Sequence, residues 1–404
     1  MKISIIGQGY VGQTLSIGAS SAGHEVIGFD LNAALISDLA MGKSFVPGVE
    51  KKVLLKLISE NRFLPTTSAK LITDSDIVVI AVPTPVDTNR KPDLLAVKEA
   101  AKTINKYLSS PALIISESTS YPGTLRNVIK PIVEENNGNI FQFAVAPERV
   151  DPGNSKWNIG NTTRVISGLD DLSTRRAVEF YSGFCSSIYE ASSPEVAEAA
   201  KLLENTFRQV NIALVNEVSE IVSKIGISGT EVINAAATKP FGFMKFYPSI
   251  GVGGHCIPVD PEYLSYFAHQ QQVDSKLVDL ANELNQGRVD QVISRIKKYL
   301  GKDLNGLRIQ VAGIAYKTGV SDIRESPAIK LLEALENNHA TVSWHDPLVQ
   351  KIEDSSSANL STEIDLGIIV TPHPEIDFSV WLNNRTSVLD LSVTEQEFGW
   401  AKFL

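Results

Sequence analysis

The first thirty residues leave few folds open. KISIIGQGYVG sets a short β-rich run directly before Gly7, Gly9 and Gly12, in G-x-G-x-x-G spacing. QTLSIGASSAGHEV then reads as a helix ending near Gly23, and VIGFD as a second strand ending at Asp30, eighteen residues past Gly12. A strand, a glycine turn, a helix and a second strand closed by an acid make the unit that binds a dinucleotide. Gly7 permits the tight turn, Gly9 leaves room for a pyrophosphate, and Gly12 lets helix and strand pack closely. Tyr10 and Val11 shape the same turn. The amides at the helix start can hold phosphate oxygens. Asp30 can accept from ribose hydroxyls and would repel a 2′-phosphate, which selects NAD over NADP. Three glycines alone would build only a tight turn; the strands, helix and acid around them decide for the dinucleotide.

Further βα units follow. SDIVVIAVPTP, PALIISESTSYPGT and FQFAVAPERVDPG each carry an apolar strand into a polar turn. Alternation of such strands with helices specifies a mostly parallel sheet, with ligands beyond the strands' carboxyl ends. That rule selects Thr84, Thr119 and Glu148 as cleft residues, although each taken singly reads first as a turn or cap residue; Glu148, directly after a strand and Pro147, stands out among them. The chain has 404 residues and a formal charge of −9, which calls for two or three domains and disfavours nucleic-acid or anionic-membrane binding. No apolar run approaches membrane-spanning length. The MKISII start has no signal-peptide layout, and two cysteines, Cys185 and Cys256, make no disulfide scaffold. A reduced, cytoplasmic enzyme is the expectation.

From Pro194, apolar residues recur at helical spacing for about thirty residues, capped by Ser193 and ending before Gly226. Such a helix suits a spine and a dimer interface. Lys201 and Asn205 lie four residues apart on one of its faces. Taken singly, Asn205, Glu198 and Glu204 read as ordinary solvent-facing residues. After a second helical region, LRIQVAGIAY, SPAIKLLEALENN, ATVSWHDP, LGIIVTP and TSVLDL build another open α/β domain. It lacks G-x-G-x-x-G, so a nucleotide or phosphorylated ligand, gripped by Lys317 and Arg324, fits better there than a second NAD. Between the two regions lies GVGGHCIPVDPEYL, with Cys256 among glycines and four residues before Asp260. No metal motif is present, and His255 beside Cys256 makes no complete site.

In this order, GQGYVG, ESTSYPGT, APERV, K-x-x-x-N at Lys201–Asn205, GGHC-x-x-x-D and GIAYKTGVSDIRESPA resemble the UDP-glucose/GDP-mannose dehydrogenase family over nearly the whole chain. The resemblance implies an N-terminal Rossmann NAD domain (1–192), a long helical dimerisation connector carrying the cysteine segment (193–300) and a C-terminal Rossmann-like nucleotide-sugar domain (301–404). It implies oxidation of a sugar C6 alcohol to a carboxylate with NAD, through a thiohemiacetal and thioester on Cys256. Lys201 and Asn205 then stabilise oxyanion charge. Asp260 orients Lys201 or acts as a base, Thr119 positions water, and Glu148 serves proton transfer or hydrolysis. Gly253, Lys317 and Arg324 join Glu148, Lys201 and Asn205 as substrate contacts, and Thr84 and Thr119 line the NAD site. KPFGFMKFYPSIGVGGHCIPVDPEYL looks most like members acting on UDP-N-acetylglucosamine or UDP-N-acetylmannosamine, with UDP-glucose the alternative. A homodimer without integral membrane association, making activated uronic sugars for capsule or O-antigen polysaccharide, is the implied setting.

Overall fold

The computed structural model describes residues 1–151, 154 and 156–392, and the backbone of 402–403. The chain forms two compact units, Met1–Glu204 with Glu262–Gln272, and Asn205–Pro261 with Val273–Leu404.

The first unit is built on β1 (Lys2–Ile6), β2 (Glu25–Phe29), β3 (Phe63–Thr66), β4 (Ile77–Ile80), β5 (Ala112–Ser116), β6 (Phe141–Val145), β7 (Arg164–Gly168) and β8 (Ile188–Glu190). Their order in the sheet is β3-β2-β1-β4-β5-β6-β7-β8. Every pair is parallel except β6 with β7. The continuous apolar runs have their reason here. β4 and β5 are buried at every position, because helices cover both faces of a parallel sheet. Ile3, Ile5, Val79, Leu113 and Ile115 pack with Leu15 of helix α1 (Tyr10–Ser21) and Phe180. Strand order reverses between β1 and β4, so the turns after these strands, Gly7 onward and Pro83–Thr84, flank the crevice of such a fold.

The second unit carries a parallel sheet of five strands, in the order Thr341–His345, Arg308–Ala312, Leu366–Ile369, Val388–Asp390 and Lys402–Phe403. The second helical region is two helices, Lys276–Gln286 and Arg288–Leu300, divided at Gly287. The long helix runs from Pro194 to Ser223, 30 residues, with its end groups as read from sequence. The Ser193 hydroxyl accepts from the Val196 amide at 3.4 Å, and Gly226 beyond the end takes φ +77°. From Gln209 on, its buried side mixes polar Gln209, Asn216 and Ser219 with apolar Ile212, Ala213 and Val215. Gln209 donates to Asn282, Asn216 donates to Asn285, and Asn285 donates to the Gln209 carbonyl. These buried amide bonds tie the long helix to the helix Lys276–Gln286, while Gln209 Oε1 and Asn282 Nδ2 stay buried without a hydrogen-bond partner among the described residues.

Candidate active site

In the first unit the glycine turn has the geometry its spacing requires. Gly7 has φ +95°, and a Cβ there would lie 2.4 Å from the Ala81 carbonyl oxygen. A Cβ on Gly12 would lie 1.8 Å from the Gly7 oxygen, whereas one on Gly9 would meet nothing within 4 Å. Gly9 therefore faces open space at the start of α1, where no acidic residue occupies the first turn and no side chain caps the helix. An anion fits such a helix start. The Asp30 oxygens accept from the Gln8 amide at 2.7 Å and the Asn32 amide at 2.8 Å. Each oxygen keeps further acceptor capacity for ribose hydroxyls. The cradle thus fits NAD. Thr84 and Thr119 are half-buried in the turns after β4 and β5. Those turns are stitched together by the Ser118 hydroxyl, which accepts from the Val82 amide at 3.0 Å and donates to its carbonyl at 2.7 Å. A cavity of about 420 Å³ is lined by Tyr10, Val11, Thr14, Glu148 and Trp157, which brings the cofactor turn and Glu148 to one space.

Glu148 is held by three donors. One oxygen accepts from the amides of Arg149 and Val150 at 2.6 and 2.7 Å, the other from the Arg164 guanidinium at 3.0 Å. Burial alone would raise its carboxyl. The Arg164 charge, the two amides and the Lys201 ammonium outweigh burial and hold it below its usual range. The other side of Arg164 reaches Glu117, at 3.1 Å, which also accepts from the Tyr181 hydroxyl. Burial pushes Glu117 up to about 7 against the pull of Arg164. Two residues read as solvent-facing differ from that expectation. Glu198 is only 3% exposed, because its carboxylate accepts from the amides of Gly123 and Leu125 at 2.6 and 3.0 Å. Glu204 is half-buried and pairs with Arg149 at 2.7 Å.

The second unit builds its part around the cysteine. The Cys256 carbonyl accepts from the amides of Val259 and Asp260, at 3.1 and 2.8 Å, in a turn that opens the helix Asp260–Gln270. Asp260 is buried, and its carboxylate accepts from the Asn205 side-chain amide. Asn205 is accordingly half-buried, not solvent-facing. The His255 ring turns back toward the thiol, with Nε2 3.4 Å from Cys256 Sγ. The glycines of this segment serve close packing. A Cβ on Gly253 would lie 2.8 Å from Tyr316 and 2.9 Å from Pro327; one on Gly254 would touch the Tyr316 ring at 3.0 Å. The Gly254 amide donates to the Arg324 carbonyl at 3.1 Å. The cysteine segment thus lies directly on the GIAYKTGVSDIRESP loop. Upstream, Ser249 is clamped by Asn216 on its amide, 2.8 Å, and by Arg288 on its carbonyl, 3.0 Å.

Lys317 is half-buried on that same loop. Arg324 differs from the expected phosphate fork, since its Nε and Nη2 edge is spread across the Asp322 carboxylate, with Nε–Oδ1 at 2.9 Å. The loop is fastened from behind by Asp346. It accepts from the amides of Ile314 and Ala315, at 2.8 and 3.1 Å, and from His373 Nε2 at 3.2 Å. His373 Nδ1 accepts from the Gly319 amide at 3.1 Å. The acid that echoes Asp30 in sequence is therefore consumed inside the fold, which gives a physical reason for a single dinucleotide cradle.

The sequence-selected residues fall into two sets. Gly7, Gly9, Tyr10, Val11, Gly12, Asp30, Thr84, Thr119, Glu148 and Lys201 belong to the first unit; Asn205, Gly253, Cys256, Asp260, Lys317 and Arg324 belong to the second. Sequence reasoning missed Glu117, Arg164 and Tyr181. The signal was a single acid and a single arginine bordering apolar strands, in ESTS and RVISG. Cys185 is buried, which pushes its thiol up, so it makes a poor nucleophile beside Cys256. Among the described residues no helix is long and apolar enough to cross a membrane, and no three His, Cys, Asp or Glu side chains are grouped to hold a metal ion.

Residues 1–185, 195–287 and 310–392 match, in turn, the NAD binding, central and UDP binding domains of one family. The chain belongs to the UDP-glucose/GDP-mannose dehydrogenase family. A UDP-N-acetyl-D-glucosamine 6-dehydrogenase of Pseudomonas aeruginosa is 33% identical to it, over 86% of this chain and 83% of that protein. Among solved structures, a UDP-D-ManNAc dehydrogenase from Pyrococcus horikoshii is 29% identical with a TM-score of 0.87, covering 100% of this chain and 99% of the other. A UDP-glucose dehydrogenase from Pyrobaculum islandicum is 25% identical with a TM-score of 0.89, covering 100% and 96%. The protein is an NAD-dependent nucleotide-sugar dehydrogenase with the family's NAD and UDP binding domains.

Proposed function

We propose that this dehydrogenase oxidises the C6 alcohol of a UDP-N-acetylhexosamine, UDP-N-acetylglucosamine or UDP-N-acetylmannosamine, to the carboxylate, with Cys256 as the covalent carrier. The observation that carries the reading is the Asn205–Asp260–Cys256 arrangement. A cysteine turn is locked to a buried acid, the acid is locked to a helix amide, and the segment rests on the nucleotide-sugar loop. The hydride acceptor for each of the two oxidations is supplied by NAD when bound. The chain's own residues do the rest.

Lys201 and Asn205 offer a cation and an N–H to oxygen charge at C6, first alkoxide and then thiohemiacetal. The Cys256 thiolate adds to the C6 aldehyde, forming the C–S bond as the carbonyl pair moves to oxygen. After the second oxidation that carbon is a thioester. Water, positioned by Thr119 and Glu148, attacks it; the C–S bond breaks and the sulfur regains its electron pair. Asp260 orients the Lys201 ammonium or takes a proton through water. The His255 ring, 3.4 Å from Sγ, favours the thiolate. Gly253, Lys317 and Arg324 contact the nucleotide sugar, with Arg324 exchanging Asp322 for phosphate. Phe207, Leu214 and Ile221, exposed at seven-residue intervals on the long helix, support a homodimer. A cytoplasmic role in making uronic sugars for envelope polysaccharide, capsule or O-antigen, follows from this reading.

The names of the relatives support an N-acetylhexosamine, while the close fold match to a UDP-glucose dehydrogenase keeps UDP-glucose as the second reading. Turnover of UDP-N-acetylglucosamine, UDP-N-acetylmannosamine and UDP-glucose, measured side by side, decides between them. A higher kcat/KM for either acetamido sugar is expected. Preference for UDP-glucose would replace the first reading with the second.

A further inference from the structure

The single antiparallel pairing of the first sheet, β6 with β7, has a chemical consequence. Ligands in a parallel sheet meet the carboxyl ends of strands, and a parallel strand would bring its carboxyl end there too. β7 runs the other way, so its first residue arrives at that edge. The register pairs Ala144 with Gly168 and Val145 with Ser167. Continued by three residues, it sets Arg164 opposite Glu148. Arg164 is 3% exposed, and its guanidinium divides between two carboxylates. Nη2 donates to Glu148 at 3.0 Å; Nη1 donates to Glu117 at 3.1 Å and to the Ala146 carbonyl at 3.3 Å. The ring of Tyr181 lies 4.9 Å from the guanidinium carbon, and its hydroxyl donates to Glu117. A buried guanidinium is costly unless its donors are satisfied in fixed geometry, and this one is tied through both terminal nitrogens.

We infer that Arg164 is a positioning residue for Glu148, with Glu117 as the second anchor that fixes the guanidinium in place. The inference rests on the reading of Glu148 as an active-site carboxylate. An ionised carboxylate offers about four acceptor positions. Among the described residues, two amides and Arg164 occupy three of those on Glu148, which lines the cavity shared with Tyr10 and Val11. The remaining position accepts a water or substrate hydroxyl in one orientation. A carboxylate held this way orients its guest by hydrogen bonding and charge, and it retains little basicity of its own. Burial pushes Glu117 up, while Arg164 and the two amides hold Glu148 down despite its burial, so the two acids differ in role. The charged or titratable groups around it are Glu148, Arg164, Tyr181 and Cys185, and Lys201 acts on Glu148.

Steady-state kinetics of the full-length enzyme with its best UDP-sugar test this. Glu148→Gln and Arg164→Lys should each lower kcat about tenfold or more, with KM for sugar and NAD changed by less than about threefold. In the double variant the two losses should not multiply, because Arg164 acts through Glu148. A merely structural arginine predicts multiplication, and that result, or an Arg164→Lys enzyme with parental kcat, overturns the inference. Parental turnover in Glu148→Gln would instead remove the role of Glu148 itself. Should Arg164→Lys not fold, Glu117→Gln decides. The amide keeps only one of the two acceptor oxygens that hold Arg164 and Tyr181, so the second anchor is weakened and kcat should fall at least about threefold with KM little changed. Parental kcat in Glu117→Gln overturns the inference.

Discussion

Gly9 and Gly12 serve one turn for different physical reasons, and single methyl groups separate them. A Cβ on Gly12 collides with the backbone of Gly7, whereas one on Gly9 enters open space. Gly12→Ala should therefore destabilise the fold by roughly 1–3 kcal/mol. Gly9→Ala should melt like the parent yet bind NAD about tenfold more weakly or worse, because the methyl occupies the pyrophosphate's approach. Thermal melts with NAD titration check both. The two thiols separate in the same way. Cys185 is buried and its thiol pushed up, while Cys256 is half-buried with an imidazole at 3.4 Å. Alkylation by iodoacetamide should thus report Cys256 selectively. In His255→Ala its pH midpoint should rise by about one unit, as expected when an imidazole no longer favours the thiolate. An unmoved midpoint would leave His255 with a packing role.

At the scale of elements, the two domain motifs use the same acid differently. Asp30 accepts from the Gln8 and Asn32 amides beside the glycine turn, where the proposed ribose contact lies; Asp346 turns inward and fastens the loop that carries Lys317. Burial raises the Asp346 carboxyl, but the His373 bond and the amides of Ile314 and Ala315 outweigh it and bring it to about 2. A folded pKa below the unfolded one stabilises the protein above the unfolded pKa, and the gain is lost as pH falls through the folded value. Asp346→Asn should accordingly cost on the order of 2 kcal/mol at neutral pH, with the difference from the parent shrinking between about pH 4 and pH 2 in melting experiments. Its KM for UDP-sugar should rise as the loop is displaced, and its kcat should fall as well, because the cysteine segment rests on that loop. The elements themselves were legible. Periodicity and end groups located the 30-residue helix from Ser193 to Gly226, and the glycine spacing located the cradle. What escaped was the pairing of elements. Nothing in RVISG says that the strand runs antiparallel, so Arg164 could not be placed opposite Glu148, and nothing near Glu198 marks the two amides that bury it.

At the scale of the molecule, candidate site residues could be selected because they stand in dense local motifs, whereas Arg324's engagement with Asp322 depends on a loop conformation that spacing does not encode. The exposed Phe207, Leu214 and Ile221 belong to the proposed dimer face. Leu214→Glu should shift the sedimenting species from dimer to monomer while leaving NAD binding intact; a parent enzyme that sediments as a monomer would contradict the dimer. The central claim is that one chain carries out two successive oxidations through Cys256. The most direct measurement counts NADH against uronate formed from a limiting amount of UDP-sugar, in the parent and in Cys256→Ser. The account predicts two NADH per uronate in the parent. In Cys256→Ser it predicts loss of sustained uronate production, with at most one hydride transferred per sugar. Two NADH per uronate at the parental rate in Cys256→Ser would contradict it.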